Sequence, residues 1–348
     1  MKKISCNTHS YFAAANTFKG FKSNFHKVFD ETKFERIFIL KGGPGTGKST
    51  LMKRVGERFE NGGHDVTYIY CSSDPRSLDG VIIQNGTKHF AILDGTAPHT
   101  TDPKFPGAIS EIINLAEGFD TASLSVQRDR IVELSNLKAA HYKSAYKLLS
   151  LAGEIFESIE DVFYSNDVYN KAELLSKEIL RTNIHDTKGA CEISDLYVSS
   201  FGKDGYSRLD LPCIKKDYIS ITGDGFTEYA VIREIKKTLA EDELTESVYY
   251  SPLTAKMIDA VITPDIIISV DKCGFINFAT DSIAAGMPYE YTVMRGLYRD
   301  VMEMARNRFS KAADAHFQLE DIYSQNVDFR NNENITARII KEIADRLL

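Results

Sequence analysis

Apolar and polar positions change period sharply near residue 41. The run Arg36-Ile37-Phe38-Ile39-Leu40 has the length and composition of a buried strand, and it breaks into Lys41-Gly42-Gly43-Pro44-Gly45-Thr46-Gly47. From Lys48-Ser49-Thr50 onward, apolar residues recur at helical spacing as Leu51, Met52, Val55 and Phe59. The pattern predicts a strand, a tight glycine loop and a helix that stops at Asn61-Gly62-Gly63. Val66 to Cys71 is rich in β-formers and predicts a second strand, followed by the polar loop Ser72 to Asp79. Val81-Ile82-Ile83, a turn at Asn85-Gly86, and Phe90 to Asp94 continue the strand reading. From about Ala108 the pattern is helical: Ile131, Leu134, Ala145, Leu148, Ala152, Ile155, Ile159 and Val162 keep i, i+3/i+4 spacing, and a further helix covers about 171–181.

The second half of the chain repeats the first in order. Tyr197 to Ser207 echoes Phe12 to Ser23, Ile219 to Thr227 lies over the strand and loop that hold Gly42 to Thr46, and Ile258-Asp259-Ala260-Val261-Ile262 matches Leu78 to Ile82. The strand ending in Asp94 corresponds to Ile266 to Asp271, and Ile159-Glu160-Asp161-Val162-Phe163 to Leu319-Glu320-Asp321-Ile322-Tyr323. Five collinear anchors predict a duplicated module with a boundary near residue 190, giving domains 1–190 and 191–348. Each is expected to be an α/β unit, a mostly parallel sheet with helices on both faces and a long helical extension. The copies differ in chemistry. An ungapped reading puts Glu228, Tyr229 and Ala230 where the first copy has Gly47, Lys48 and Ser49.

That difference matters because the first loop is G-x-x-x-x-G-K-[ST], the Walker A pattern of the P-loop NTPase fold, set between strand and helix. Backbone amides of Gly43, Pro44's neighbours Gly45 and Thr46, and Gly47 are expected to converge on phosphate oxygens, aided by the N-terminal end of the helix. Lys48 is expected on the β- and γ-phosphates, Ser49 on Mg²⁺, and Thr46 and Thr50 along the α- and β-phosphates. The second loop lacks the lysine and the hydroxyl, so one nucleotide site is expected, with the second copy in a regulatory or structural role.

Composition bounds the rest. The 348 residues carry a net charge of −7 and no Lys/Arg-rich block, which removes the electrostatic case for a nucleic-acid partner. No leader-like apolar segment follows Met1-Lys2-Lys3, no apolar run reaches membrane-spanning length, and five cysteines are scattered singly. The expectation is a cytoplasmic protein with reduced thiols and no membrane partner.

The strings Gly42 to Thr50, Cys71-Ser72-Ser73-Asp74-Pro75 with Ser77 to Val81, and Leu93-Asp94-Gly95-Thr96-Ala97-Pro98-His99 resemble an uncharacterised family of bacterial tandem P-loop NTPase (ATPase-like) proteins. The resemblance covers nearly the whole chain and implies tandem P-loop domains and ATP binding, with no known substrate. The degenerate second loop departs from members in which both loops are intact.

Asp94, at the end of its strand, is the candidate for organising Mg²⁺. Asp74 is the candidate general base, because a carboxylate after the second strand faces the γ-phosphate side of such a sheet. Asp79 reads as structural, since Asp259 persists in the second copy. His99 is a candidate phosphate sensor, although loop histidines are commonly solvated. Arg208 and Arg233 are candidates for a charge-stabilising arginine from the second half. No Asn-Lys-x-Asp strand end is present, so ATP is favoured over GTP. The expected function is Mg²⁺-dependent ATP binding and hydrolysis, with Lys48, Asp74 and Asp94 as catalytic candidates. The alternatives are a small-molecule kinase and a non-enzymatic nucleotide-gated binding protein.

Overall fold

A computed structural model describes residues 8–347 apart from 166, 184–191, 212–216, 242–246 and 271–275. In the first half, β1 (Thr8–Phe12) leads into the hairpin β2 (Ala14–Thr17) and β3 (Gly20–Ser23), then the short helix α1 (Phe25–Val28). There follow β4 (Arg36–Lys41), α2 (Lys48–Glu60), β5 (Asp65–Tyr70), β6 (Leu78–Asn85), β7 (Lys88–Asp94), β8 (Ser110–Asn114) and α3 (Thr121–Val126). Two helices close the half, α4 (Arg128–Ser165) and α5 (Val168–Asn183).

The second half runs β9 (Glu192–Ile193), the hairpin β10 (Ser199–Gly202) and β11 (Gly205–Arg208), β12 (Asp217–Thr222), α6 (Thr227–Glu241) and β13 (Ser247–Tyr250). It continues with β14 (Ile258–Ile262), β15 (Ile266–Ser269), β16 (Ile276–Ala279), α7 (Asp281–Ala284), α8 (Tyr289–Ser324) and α9 (Arg330–Leu347).

The first sheet has the order β1-β5-β6-β7-β4-β8, and the second, read from its other edge, β9-β13-β14-β15-β12-β16. In both, the third strand is antiparallel to its two neighbours and the remaining pairs are parallel. The architecture is therefore mixed α/β. Strand β8 was expected to be helical; its Ser110-Glu-Ile-Ile-Asn run pairs in parallel with β4 instead.

Strand alternation divides the cores. In β4, Phe38 and Leu40 pack with Leu51, Met52, Val55 and Phe59 of α2, whereas Ile37 and Ile39 face a second cluster with Ala91 and Leu93. That second cluster also contains Tyr249, Ala260, Ile262 and Ile267 of the other sheet. The inner faces of the two sheets thus share one core, to which only the short helix α1 adds, and the long helices lie on the outer faces. This corrects the expectation of helices on both faces: apolar alternation says that a face is covered, not by what.

The helical extensions cross between halves. Ile339 and Ile343 of α9 lie in the core of the first sheet with α2. Ala172 and Ile179 of α5 lie in the core of the second sheet with Val231, Ile232 and Ile235 of α6. The long helices α4 and α8 pack along each other. Phe12 and Tyr197, which echo one another in sequence, exchange two backbone hydrogen bonds of 2.8 Å, the arrangement of a local two-fold axis.

The hairpins cross as well. Phe18, at the first tip, donates its backbone N–H to Leu253 O at 3.1 Å, and Lys203, at the second, donates to Ser73 O at 3.4 Å. Among the described residues no helix is long and apolar enough to cross a membrane. Cys71 is free; Cys6, Cys191, Cys213 and Cys273 lie outside the described residues, as does Asp271.

Candidate functional site

The glycine loop leaves β4 and enters α2 through two left-handed residues, Gly45 (φ 71°) and Gly47 (φ 82°), the latter being the N-cap position. This conformation turns consecutive amides inward at little cost only when no Cβ is present. Thr46 is buried and its hydroxyl donates to Gly43 O at 2.9 Å, which pins the loop. Pro44 follows Gly43 at the head of the turn, and Thr50 is exposed.

Lys48 opens α2, and its ammonium donates to Gly42 O at 2.9 Å and Gly43 O at 2.8 Å, curling over the loop. It also lies 3.7 Å from Asp94 Oδ2. This meeting follows from the topology, because β4 and β7 are adjacent and parallel with Leu40 paired to Asp94, so both strand ends reach the same sheet edge. The Asp94 carboxylate accepts from Thr96 N at 2.8 Å and Thr96 Oγ1 at 2.6 Å. Burial raises its pKa, and the Lys48 charge opposes that rise. Ser49 Oγ accepts from the N–H of Leu78 at 2.9 Å, joining the loop to the segment that carries Asp74.

Asp74 sits at a turn rather than free beside the loop. Burial works against its charge, but Arg76, through side-chain and backbone N–H groups, and the nearby Lys203 outweigh burial and hold the carboxyl below the ordinary range. A carboxylate so clamped is a weak proton acceptor.

His99 is buried, not solvated. It stacks on Phe25 with centroids 4.1 Å apart and its Nε2 lies 3.3 Å from Asp79 Oδ2, without hydrogen-bond geometry. Asp259, the counterpart of Asp79, is fully buried and accepts from Ser199 Oγ and from Tyr206 OH, a structural use of the carboxylate.

Helix α8 and the segment after it form the outer wall. A Cβ on Gly45 would stand 2.6 Å from Glu320 O, and Asn332 Nδ2 donates to Thr46 O at 2.8 Å. Burial, then Asp74, raises the Glu320 carboxyl; burial, then Lys138 and Lys48, lowers the neighbouring His316 to about 4, so this histidine is neutral at pH 7. Sequence reasoning missed this wall, since no local pattern says where a helix from the far end of the chain will land.

The arginine candidates are elsewhere. Arg208 donates to Val270 O at 3.0 Å and to Asp259 O at 3.2 Å, within its own half. Arg233 pairs with Glu160 at 3.0 Å and lies over the Tyr169 ring. The cation from the second half that does reach the Asp74 turn is Lys203, 3.7 Å from Asp74 Oδ1.

The matching loop of the second half is closed by its own carboxylates. Buried Val231, Ile232, Ile235 and Leu239 in α6 repeat Leu51, Met52, Val55 and Phe59 in α2, which sets Glu228 opposite Lys48 and makes the second loop one residue shorter. The ungapped alignment is corrected accordingly. Both Glu228 oxygens accept from Gly225 N, at 3.0 and 3.1 Å. Asp224 Oδ1 accepts from Phe226 N and Thr227 N, and Oδ2 from Tyr291 OH and Arg295 Nη1. Inward amides that a bound anion would require are already taken.

A family described as Nephrocystin 3, N-terminal, matches residues 21–146, a span that contains the glycine loop, Asp74 and Asp94 but less than half of the chain. No curated protein matches the chain, and no solved structure matches it. Among the described residues no group of three or more His, Cys, Asp or Glu side chains is placed to hold a metal ion.

Proposed function

We propose that this protein is a Mg²⁺-dependent ATP-binding protein of the P-loop NTPase fold, with ATPase activity at one site in the first half. The observation that carries the reading is the meeting of Lys48, the Gly43–Thr50 loop and Asp94 at the ends of two adjacent parallel strands. In this reading the loop amides and Lys48 hold the phosphates, the carbonyls of Gly42 and Gly43 releasing the ammonium to them. Ser49 and Asp94 hold Mg²⁺, which supplies charge neutralisation at the phosphates. The fit is supported by the donor set: a hydroxyl and a partly buried carboxylate suit a hard, oxygen-preferring cation that keeps further positions for phosphate and water.

The two halves, 1–190 and 191–348, are read as an internal duplication, supported by the shared strand order and by the five sequence anchors. The second loop, filled by Glu228, is read as a regulatory or structural copy. The clamped state of Asp74 makes it a weak base for water and for an acceptor hydroxyl alike, so this reading gives it no proton-transfer role.

The test is ATP turnover by wild type and Lys48→Ala, with and without Mg²⁺. Turnover that needs Mg²⁺ and falls by about a hundredfold or more in the variant is expected. ADP release only when an acceptor is added would establish a kinase instead. Tight binding without turnover in either condition would leave a nucleotide-gated binding protein, and no binding would overturn the reading.

A further inference from the structure

The two hairpin tips do the same geometrical job with opposite chemistry. Each crosses to the other half and donates one backbone N–H to the loop that follows the second strand of the sheet there, Phe18 to Leu253 O after β13 and Lys203 to Ser73 O after β5. Phe18 is 9% exposed and packs on Phe156 and Tyr298. Lys203 is likewise 9% exposed, but it carries a charge. Its nearest partner is Asp204 at 2.6 Å, a neighbour on its own hairpin whose side chain is 58% exposed. Its contact with Asp74 is a looser 3.7 Å.

A buried ammonium is costly where an apolar side chain serves, and the other tip shows that one serves. The packing at this tip is also close. A Cβ on Gly202 would come within 2.8 Å of Ser73 O and 3.0 Å of Ser72 O, so the backbone of this hairpin tip is held against the Asp74 turn. The turn is tied to the candidate phosphate loop by the Leu78 N–Ser49 Oγ hydrogen bond.

We propose that Lys203 is a cation supplied by the second half to the first half's site, where it pairs with the terminal phosphate of a bound nucleoside triphosphate. The proposal rests on the nucleotide-binding reading above. On triphosphate binding, the ammonium exchanges its loose contact with Asp74 for a phosphate oxygen, which draws the hairpin and the half that carries it onto the site. A diphosphate offers no such partner, so the joint between halves distinguishes the two. The replaceable Asp74 contact, the fixed hairpin and the apolar counterpart at the filled loop all have a use in this account. A purely structural ion pair accounts for none of the difference between the tips.

The experiment compares Mg·ATP and Mg·ADP affinities by calorimetry for wild type, Lys203→Met, Lys203→Arg and Lys48→Ala. Lys203→Met is expected to weaken Mg·ATP by about tenfold or more while changing Mg·ADP by less than about threefold, as loss of one charge-assisted contact requires. Lys203→Arg should retain most of the ATP preference, and the melting temperature of Lys203→Met should not fall. Equal ATP and ADP affinities across wild type and Lys203→Met, with Lys48→Ala losing both nucleotides, would overturn the role of Lys203 and leave the nucleotide site standing. Failure of wild type to bind either nucleotide would remove the site and this proposal together. If Lys203→Met does not fold, Lys203→Gln decides: an ATP-to-ADP ratio unchanged from wild type in that variant would overturn the proposal.

Discussion

The glycine loops of the two halves occupy matching places, each between an inner strand and the helix that packs on it, yet a charged side chain engages carbonyls in one and an amide in the other. In the first, the Lys48 ammonium curls over the carbonyl oxygens of Gly42 and Gly43. In the second, Glu228 stands in the lysine's place and its carboxylate accepts from Gly225 N. Lysine in one half and glutamate in the other invert the charge at the head of the helix, and the proposal of a single nucleotide site rests on that contrast. The hairpin tips show the same contrast, with a lysine reaching the open loop's half and a phenylalanine the filled one's. Conserving a backbone plan therefore does not conserve chemistry; the charge at two or three side chains decides it.

The comparison can be broken at its apolar end first. Phe18→Ala should cost about 3–5 kcal/mol of unfolding free energy by urea titration, the range for a buried phenylalanine. A loss under about 1 kcal/mol would show that the tip is not packed as described. The glycines sharpen it next. Gly45 and Gly225 both have positive φ, but a Cβ meets Glu320 O only at Gly45 and open space at Gly225. Gly45→Ala should therefore be the more destabilising of the two, by roughly 1–3 kcal/mol, and equal losses would mean that α8 does not press on the loop.

A third effect lies in pH. Burial, with Asp224 beside it, raises the Glu228 carboxyl from 4.5 to about 7. The folded state then binds its proton more tightly than the unfolded state, so stability is highest below about 4.5 and falls as pH rises towards about 7. Glu228→Gln should remove this fall and gain on the order of 2 kcal/mol at pH 8 relative to wild type, while the two proteins converge at pH 4.5. A wild-type stability unaffected by Glu228→Gln at pH 8 would place the carboxylate in solvent. The smallest change is Asn332→Ala, which removes the 2.8 Å bond to Thr46 O and should cost about 1 kcal/mol; no change would make the outer clamp ornamental.

Much of the candidate site was legible because its chemistry is local. Glycine spacing, the lysine and the hydroxyl lie within nine residues, and Asp94 ends a run whose composition identifies it as a strand. The five matching strings that suggest a duplication could be read for the same reason, short string against short string. What escaped notice was long-range. Lys203 arrives from the other half, and α9 docks beside α2 with most of the chain between them. The shared core of the two sheets was hidden because Ile37 and Ile39 look alike whether a helix or a sheet covers them. Strand β8 was missed because, at this sheet edge, Ser110 and Ile113 are buried while Ile112 and Asn114 are exposed, so no two-residue alternation marks it and propensity is weak. The shorter second loop misled the alignment by one residue, and only the buried face of α6 corrects it.

The most direct test counts nucleotide sites. Calorimetric titration of Mg·ATP into the full chain should give about one site per chain, as a filled second loop requires, abolished by Lys48→Ala and unaffected in number by Glu228→Gln. Two sites per chain, or binding that survives Lys48→Ala, would contradict the account that one loop is open and the other closed by its own carboxylate.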